Sequence, residues 1–327
     1  MTDDQSDRIL EIALDWHRSG KGAVLATVQE TWGSAPRQAG AQLVVSRAGE
    51  MMGSVSGGCV EGAVVIEAVA ALADGKPRLL TFGVSDENAF SVGLACGGTI
   101  KVLVEPVGVA FPVAILSDLV AARAARQPMA LQSLGQGGDH RLIPAGQDAA
   151  VDARLRSDKA GIEADGRFIV PHNPPLRLIV VGAVHIAQPL VVMARVAGYD
   201  VTLIDPRAAF GSAARFPGER IIEDWPDEAM AALAPDSRSA IVTLTHDPKL
   251  DDPAILAALA SPAFFIGCLG SRQTHAKRLD RLRAAGVDAA AIARLHAPVG
   301  LRIGAKSPAE IAISILGEVT QVLRQVD

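Results

Sequence analysis

Between Arg177 and Ala285, short apolar runs alternate with stretches of helical length, an alternation that few folds accept. RLIVV (Arg177 to Val181), DVTLI (Asp200 to Ile204), Arg220 to Ile222, AIVTL (Ala240 to Leu244) and Ala263 to Ile266 read as strands. The run to Val196, Ala229 to Leu233, Pro253 to Ala260 and Gln273 to Ala285 read as the helices between them. A strand buried on both faces is a continuous apolar run, and a helix that carries the chain back makes the next strand parallel. The pattern predicts a Rossmann-like, doubly wound parallel sheet. A last helix opens at Ser307-Pro308-Ala309-Glu310, a capping box with proline in the first helical position. Its apolar stripe runs through Ala312, Ile315, Leu316, Val319, Val322 and Leu323.

The first strand–turn–helix of this half reads VVGAVHIAQPL. Against a GxGxxG dinucleotide fingerprint, Gly182 fills the tight-turn position and Ala187 the helix-packing position. Val184 stands where the backbone would approach a pyrophosphate, and its stiff β-branched side chain would fill that space. On that argument Val184→Gly would raise dinucleotide affinity. Asp205 ends the second strand, where an acidic residue grips a ribose hydroxyl. Two readings stand: a phosphate site at a helix N-terminus, or a Rossmann-shaped scaffold without dinucleotide affinity. His185 either points into the crevice or packs at the helix start. In GCLGSR, Gly270 and Ser271 open the next helix with Ser271 as cap, and Arg272 faces the same crevice. Lys277, Arg278, Arg281 and Arg283 read as a solvated helix face.

The first half mixes strand-like and helical pieces, which predicts a mixed α/β domain. Residues 8–20 form an amphipathic helix, and Ala23 to Gln29, Gln42 to Ser46, Leu79 to Gly83 and Thr99 to Glu105 form strands. Helices follow at Ala63 to Ala73 and Pro112 to Arg126, while residues 127–172 are turn-rich with no legible organisation. PHNPP (Pro171 to Pro175) reads as a linker, because proline removes donors and restricts the residue before it. The expected domains are 1–172 and 173–327. In SVSGGCVEG, Gly57 and Gly58 present backbone N–H groups suited to an anion. Cys59 stands at a helix start where the dipole favours its thiolate, and Glu61 sits in the first turn. The plainer alternative makes Cys59 a small packed hydrophobe. A second loop carries Cys96 and Gly97, and the loop from Thr31 to Arg37 offers Ser34 and Arg37 to an anion, or is an ordinary turn. Cys268, at a strand end, reads as core.

Composition removes several function classes. A chain of 327 residues has room for two cores. A net charge of −5 argues against a general nucleic-acid binder. No apolar run is long enough to span a membrane, and the acidic Met1 to Asp7 is unlike a secretory signal. Three unclustered cysteines suit a reducing cytoplasm and no structural zinc. Neither a phosphate-binding P-loop, an HExxH zinc helix nor a GxSxG nucleophile elbow is present.

ATVQETWGSAPRQAGAQLVV, GSVSGGCVEGAV and ACGG…VEP resemble the N-terminal domain of xanthine dehydrogenase accessory proteins, the XdhC/CoxI family. VGAVHIAQPL, VTLIDPR, RFP, LTHDPKLDDPAIL, FFIGCLGSRQTHAKR and LHAPVGLRIGAKSPAEIAISIL resemble its C-terminal Rossmann domain. The resemblance implies a carrier without turnover that binds molybdenum cofactor, a molybdopterin. The carrier holds it while a cysteine desulfurase supplies the terminal sulfido ligand, then delivers it to a xanthine-dehydrogenase-type molybdoenzyme. It directs attention to Ser34, Arg37, Gly57, Gly58, Cys59, Glu61, Cys96, Gly97, Gly182, His185, Asp205, Gly270, Ser271 and Arg272 as cofactor-binding residues, with Cys59 as a molybdenum ligand. A homo-oligomer is expected. The family commonly reads GxGHVA or GxGHIA where this chain has Val184 before His185. The competing reading, an NAD(P)-dependent oxidoreductase, is favoured by Asp205 and opposed by Val184 and by the lack of an evident acid/base pair for hydride transfer. A third reading is a regulatory protein that binds only protein.

Overall fold

Residues 8–33, 37–83, 98–134 and 136–324 are described by the computed structural model, and the chain divides into two units, Met1–Pro174 and Pro175–Asp327. In the first unit, β1 (Val24–Trp32) is the central strand of an antiparallel sheet with β2 (Gln42–Val45), β3 (Met51–Gly53), β4 (Arg78–Phe82) and β5 (Thr99–Pro106), in the order β3-β2-β1-β5-β4. Successive strand residues face opposite ways. Val24, Ala26, Val28, Val102 and Val104 therefore pack on one side against Val64, Ala68 and Ala71 of α2 (Glu61–Asp74). Leu25 and Val44 face the other side, where they meet α1 (Ile9–Arg18) and α3 (Val113–Ala124). The same core takes Leu131, Phe168 and Val170 from a second sheet.

That second sheet is what the turn-rich segment becomes. β6 (Met129–Leu134), β7 (Arg141–Pro144), β8 (Gly161–Ile162) and β9 (Arg167–His172) pair antiparallel in the order β7-β6-β9-β8. Helix α4 (Ala149–Ser157) is capped by Asp148, whose carboxylate accepts the N–H groups of Ala150 and Val151. Burial does not alternate along its two central strands, β6 burying Ala130, Leu131 and Ser133 and β9 burying Phe168, Ile169 and Val170, and their pairing joins Met129 to His172. Neither feature produces a local period that the sequence can show.

In the second unit, β10 (Arg177–Val181), β11 (Asp200–Ile204), β12 (Arg220–Ile222), β13 (Ser239–Thr243), β14 (Phe265–Cys268) and β15 (Leu295–His296) are parallel, in the order β12-β11-β10-β13-β14-β15. This is the Rossmann order, which reverses direction between β10 and β13. Leu178 and Val180 pack with α5 (Ala187–Val196) and α10 (Pro308–Arg324). Ile179 and Val181 pack with α6 (Pro226–Leu233) and α7 (Pro248–Leu259). Helix α8 (Arg272–Ala284) buries Leu282 against Cys268 and Ile255, and a short α9 (Ala289–Ile292) leads to β15. Helix α7 starts at Pro248 and runs through Pro253, where the sequence reading opens it. The start falls earlier because Asp247 caps the helix, accepting the N–H of Lys249. No helix among the described residues is long and apolar enough to cross a membrane.

Candidate functional site

The turn after β10 has the shape of a nucleotide turn, and two of the protein's own side chains, Asp205 and Arg215, bond its backbone at Ala183. Gly182 has φ +109°, and a Cβ there would lie 2.5 Å from Thr245 Cγ2, so both backbone and space demand glycine. Asp205 is fully buried and turned inward: its Oδ2 accepts the Ala183 N–H at 2.8 Å, and Arg207 grips it through Nε (2.8 Å) and Nη2 (2.7 Å). Burial alone would raise the Asp205 pKa, yet the hydrogen bonds from Arg207 and Ala183 outweigh it and hold the carboxyl below its usual range. Arg215 donates to the carbonyls of Ala183 (2.9 Å) and Phe210 (2.5 Å), and the Arg207 guanidinium lies 3.9 Å over the Phe210 ring. The expectation that Asp205 offers its carboxylate to a ribose is therefore corrected, because its oxygens already bind the glycine turn and Arg207. Val184 packs against the core beside α5 instead of standing free over the turn. His185 is exposed on the turn.

Further along the same sheet edge a second network forms. Asp251 Oδ1 accepts the Thr245 hydroxyl at 2.6 Å, and Oδ2 accepts the His246 N–H at 3.1 Å. These bonds hold His246 at φ +62°, a left-handed backbone that side chains other than glycine rarely adopt. Arg278, 1% exposed, brings Nη2 within 3.5 Å of Asp251 and donates it to the Leu269 carbonyl at 3.0 Å. It belongs to the buried interior, not to the solvated face expected of Lys277, Arg278, Arg281 and Arg283. Arg281 makes a two-pronged bridge to Asp252 at 2.5 and 2.9 Å. Burial pushes the Asp251 pKa up, despite the donors from Thr245 and the charge of Arg278. Gly270, with φ +143°, and Ser271 lead into α8; the Ser271 hydroxyl accepts the Thr274 N–H at 3.1 Å, the cap the sequence predicts. Arg272 is exposed and lines a cavity of about 500 Å³ with Gly300, Arg302 and Glu318. Cys268 is fully buried, and burial pushes its thiol up to about 11.

In the first unit the loop Ser54 to Val60 wraps a carboxylate. Glu61 Oε1 accepts the Ser54 hydroxyl (2.6 Å) and the N–H groups of Val55 (3.1 Å) and Ser56 (2.9 Å). Oε2 accepts the Ser56 hydroxyl (2.5 Å) and the Gly58 N–H (2.9 Å), while the Gly57 N–H goes to Ser54 Oγ. Gly57 and Gly58 both take positive φ, which lets the loop close around the acid. Burial opposes ionisation here, but the hydrogen bonds from Ser54, Ser56 and the backbone bring the Glu61 pKa down to about 2. The expectation that Gly57 and Gly58 hold a ligand anion is corrected: the anion is Glu61. Cys59 is a free, half-buried thiol beside this loop, packed against the α2 core and two residues ahead of α2. Arg37 is half-buried, and its Nε has no hydrogen-bond partner among the described residues. Ser34, Cys96 and Gly97 lie outside the described residues.

The structure thus joins Gly182 to Asp205 and places Gly270, Ser271 and Arg272 at the same sheet edge. It also adds Arg207, Arg215, Thr245, His246, Asp251 and Arg278, which sequence reasoning did not select. The run LTHDPKLDD contains three of these, and its Thr–His–Asp grouping ahead of a helix was the available signal.

These features define a two-unit α/β protein with a Rossmann-ordered sheet whose acidic strand-end residue, Asp205, is bonded to the turn backbone and to Arg207. The chain belongs to the XdhC/CoxI family: residues 178–319 match the XdhC Rossmann domain, and residues 16–83 match the XdhC and CoxI family. It is 32% identical, over 98% of its own length and 90% of the other's, to the molybdenum cofactor insertion chaperone PaoD of Escherichia coli (strain K12). It is 28% identical, over 93% and 94% of the two chains, to a probable xanthine dehydrogenase subunit of Bacillus subtilis (strain 168). A crystal structure of a xanthine dehydrogenase from Bacillus halodurans aligns with a TM-score of 0.75 at 25% identity, covering 98% of this chain and 97% of that one.

Proposed function

We propose that this chain is an accessory protein that binds molybdenum cofactor, keeps it while a cysteine desulfurase supplies the terminal sulfido ligand, and passes it to a xanthine-dehydrogenase-type molybdoenzyme. The observation that carries this reading is the 32% identity to a molybdenum cofactor insertion chaperone across nearly the whole of both chains. The inward turn of Asp205 supports a carrier over a nicotinamide oxidoreductase, because the group that would fix the ribose is bonded to Ala183 and Arg207. The cargo is a phosphorylated pterin dithiolene, which calls for donors to its anionic end and a soft ligand near the metal. Cys59, a free thiol at partial exposure, is the proposed soft ligand.

The test is purification from a host that makes the cofactor, followed by assay of bound pterin and molybdenum. The parent chain is expected to carry both. Cys59→Ala is expected to carry less, with an unchanged circular dichroism spectrum. Equal content in that variant would remove Cys59 from the site, and a parent chain free of pterin and molybdenum would overturn the carrier reading.

A further inference from the structure

Helix α2 is apolar on two opposite faces. Its inward stripe of Val64, Ala68 and Ala71 fills the core of the first unit, and Glu61 turns to its own loop. At 3.6 residues per turn, Gly62, Ile66, Val69 and Ala73 form a second stripe on the far side, with the i, i+4, i+7, i+11 spacing of a helix–helix seam. Gly62, Ile66 and Ala73 are exposed, Ile66 to 70%. A helix face turned to water ordinarily carries polar residues. Besides Glu61, the charged residues of α2 are Glu67 and Asp74, and both stand to one side of this stripe. The edge strand β3 extends the apolar area. Met51 pairs with Val45, which faces α2, while Met52 packs on the α1 side, so Met51 lies on the α2 side of the sheet and is 48% exposed.

The two flanks of the stripe differ in charge. On the β4 side, Glu67 and Asp74 share Arg78, at 3.0 and 2.8 Å, which leaves an excess of negative charge. On the β2–β3 side lie Val65 and Leu72: a Cβ on Gly49 would touch Val65, and one on Gly22 would touch both Leu72 and Arg47. Arg47 is exposed and forms no ion pair among the described residues, and the neighbouring Lys21 is neutralised by Glu50. A second copy can pack its α2 on this stripe across a two-fold axis in two ways. With antiparallel helices each flank meets its own kind, acid against acid and Arg47 against Arg47. With parallel helices the flanks exchange, and the Arg47 side of each chain meets the Glu67–Asp74 side of the other. The parallel arrangement is the one that is complementary in charge.

We propose that the outer face of α2 is the interface of a parallel homodimer, with Gly62, Ile66, Val69 and Ala73 at its centre and Arg47 set against the acidic flank of the other copy. Parallel packing also brings the two starts of α2, and the Cys59 loops that precede them, to one end of the interface. The proposal is independent of the carrier reading, since association is measured without a cofactor.

The test is sedimentation velocity of the full-length protein over a concentration series up to about 100 μM. A dimer is expected for the parent. Ile66→Glu places a charge on the seam at an exposed position, and is expected to raise the dimer dissociation constant about tenfold or more with an unchanged circular dichroism spectrum. Arg47→Glu is expected to weaken the dimer, and adding Glu67→Arg to restore it, because the flanks are then exchanged in sign. A parent that stays monomeric leaves the face to an occupant other than a second copy and overturns the proposal, as does a dimer that Ile66→Glu leaves intact. A double variant that dimerises no better than Arg47→Glu overturns the parallel arrangement.

Discussion

Glu61 and Asp251 do the same job in different units, since each carboxylate ties the loop beside it by accepting N–H and O–H groups. Glu61 receives five donors between 2.5 and 3.1 Å, from both hydroxyls and the backbone of its own loop. Asp251 receives one short bond from Thr245, longer ones from Thr245 N–H (3.3 Å) and His246, and a guanidinium at 3.5 Å. The consequence is opposite in sign. The Glu61 pKa falls to about 2, whereas burial raises that of Asp251. A carboxylate wrapped by close donors keeps its charge unaided. One that is buried deeper with looser donors depends on a cation, and that cation here has N–H groups to spare. The glycine-rich loop that looks like an anion site has consumed its donors internally, while two N–H groups of the buried Arg278 have no partner among the described residues.

The sharpest way to break this comparison is to remove the cation. Arg278→Met leaves Asp251 buried without its partner, and a loss of about 3–5 kcal/mol in urea unfolding is expected. Adding Asp251→Asn should restore part of it, because the uncompensated charge is gone. A double variant no more stable than Arg278→Met would show that the guanidinium acts through packing rather than charge.

Glu61→Gln is the corresponding test in the first unit. It replaces an acceptor-only group with one that brings two N–H bonds against existing donors, and a loss of about 3 kcal/mol at neutral pH is expected from a pKa depressed from 4.5 to about 2. The sign follows from the depressed pKa. This stabilisation is complete above the unfolded value near 4.5 and is lost as pH falls through about 2. The stability gap between parent and Glu61→Gln should therefore narrow across that window, as urea midpoints measured at stepwise lower pH would reveal. A gap that stays constant with pH would mean that the loop is held by something other than the ionised acid.

The smallest effect is expected at Val184. From the sequence, Val184→Gly would open a dinucleotide site. With Asp205 bonded to Ala183 and Arg207 and Val184 packed on the core, the variant should show no measurable NAD affinity by calorimetry and a stability loss of about 1–2 kcal/mol. Tight NAD binding by the variant would show that Asp205 bonds the turn only in the absence of a ligand.

The Rossmann sheet was legible because its evidence is local. Each buried strand is an apolar run, each helix an apolar stripe, and Ser271 and the Ser307–Glu310 box announce their helices within a few residues. The segment 127–172 was illegible because burial does not alternate along β6 or β9 and because their pairing joins residues across the intervening chain. Gly182 was readable as a tight turn, and Ser271 as a cap. What only the tertiary structure decided is where charge goes. Asp205 could serve a ribose or an arginine, Glu61 a dipole or a loop, and Arg278 water or a buried acid; the turns that near neighbours take decided the first two, with Arg207 beside Asp205 and Ser54 to Gly58 around Glu61, while Ala183 for Asp205 and Asp251 for Arg278 are brought near by other elements. Secondary structure follows from the period of apolar residues along the chain, whereas the role of an ionisable side chain follows from the donors and acceptors that folding places within hydrogen-bond reach.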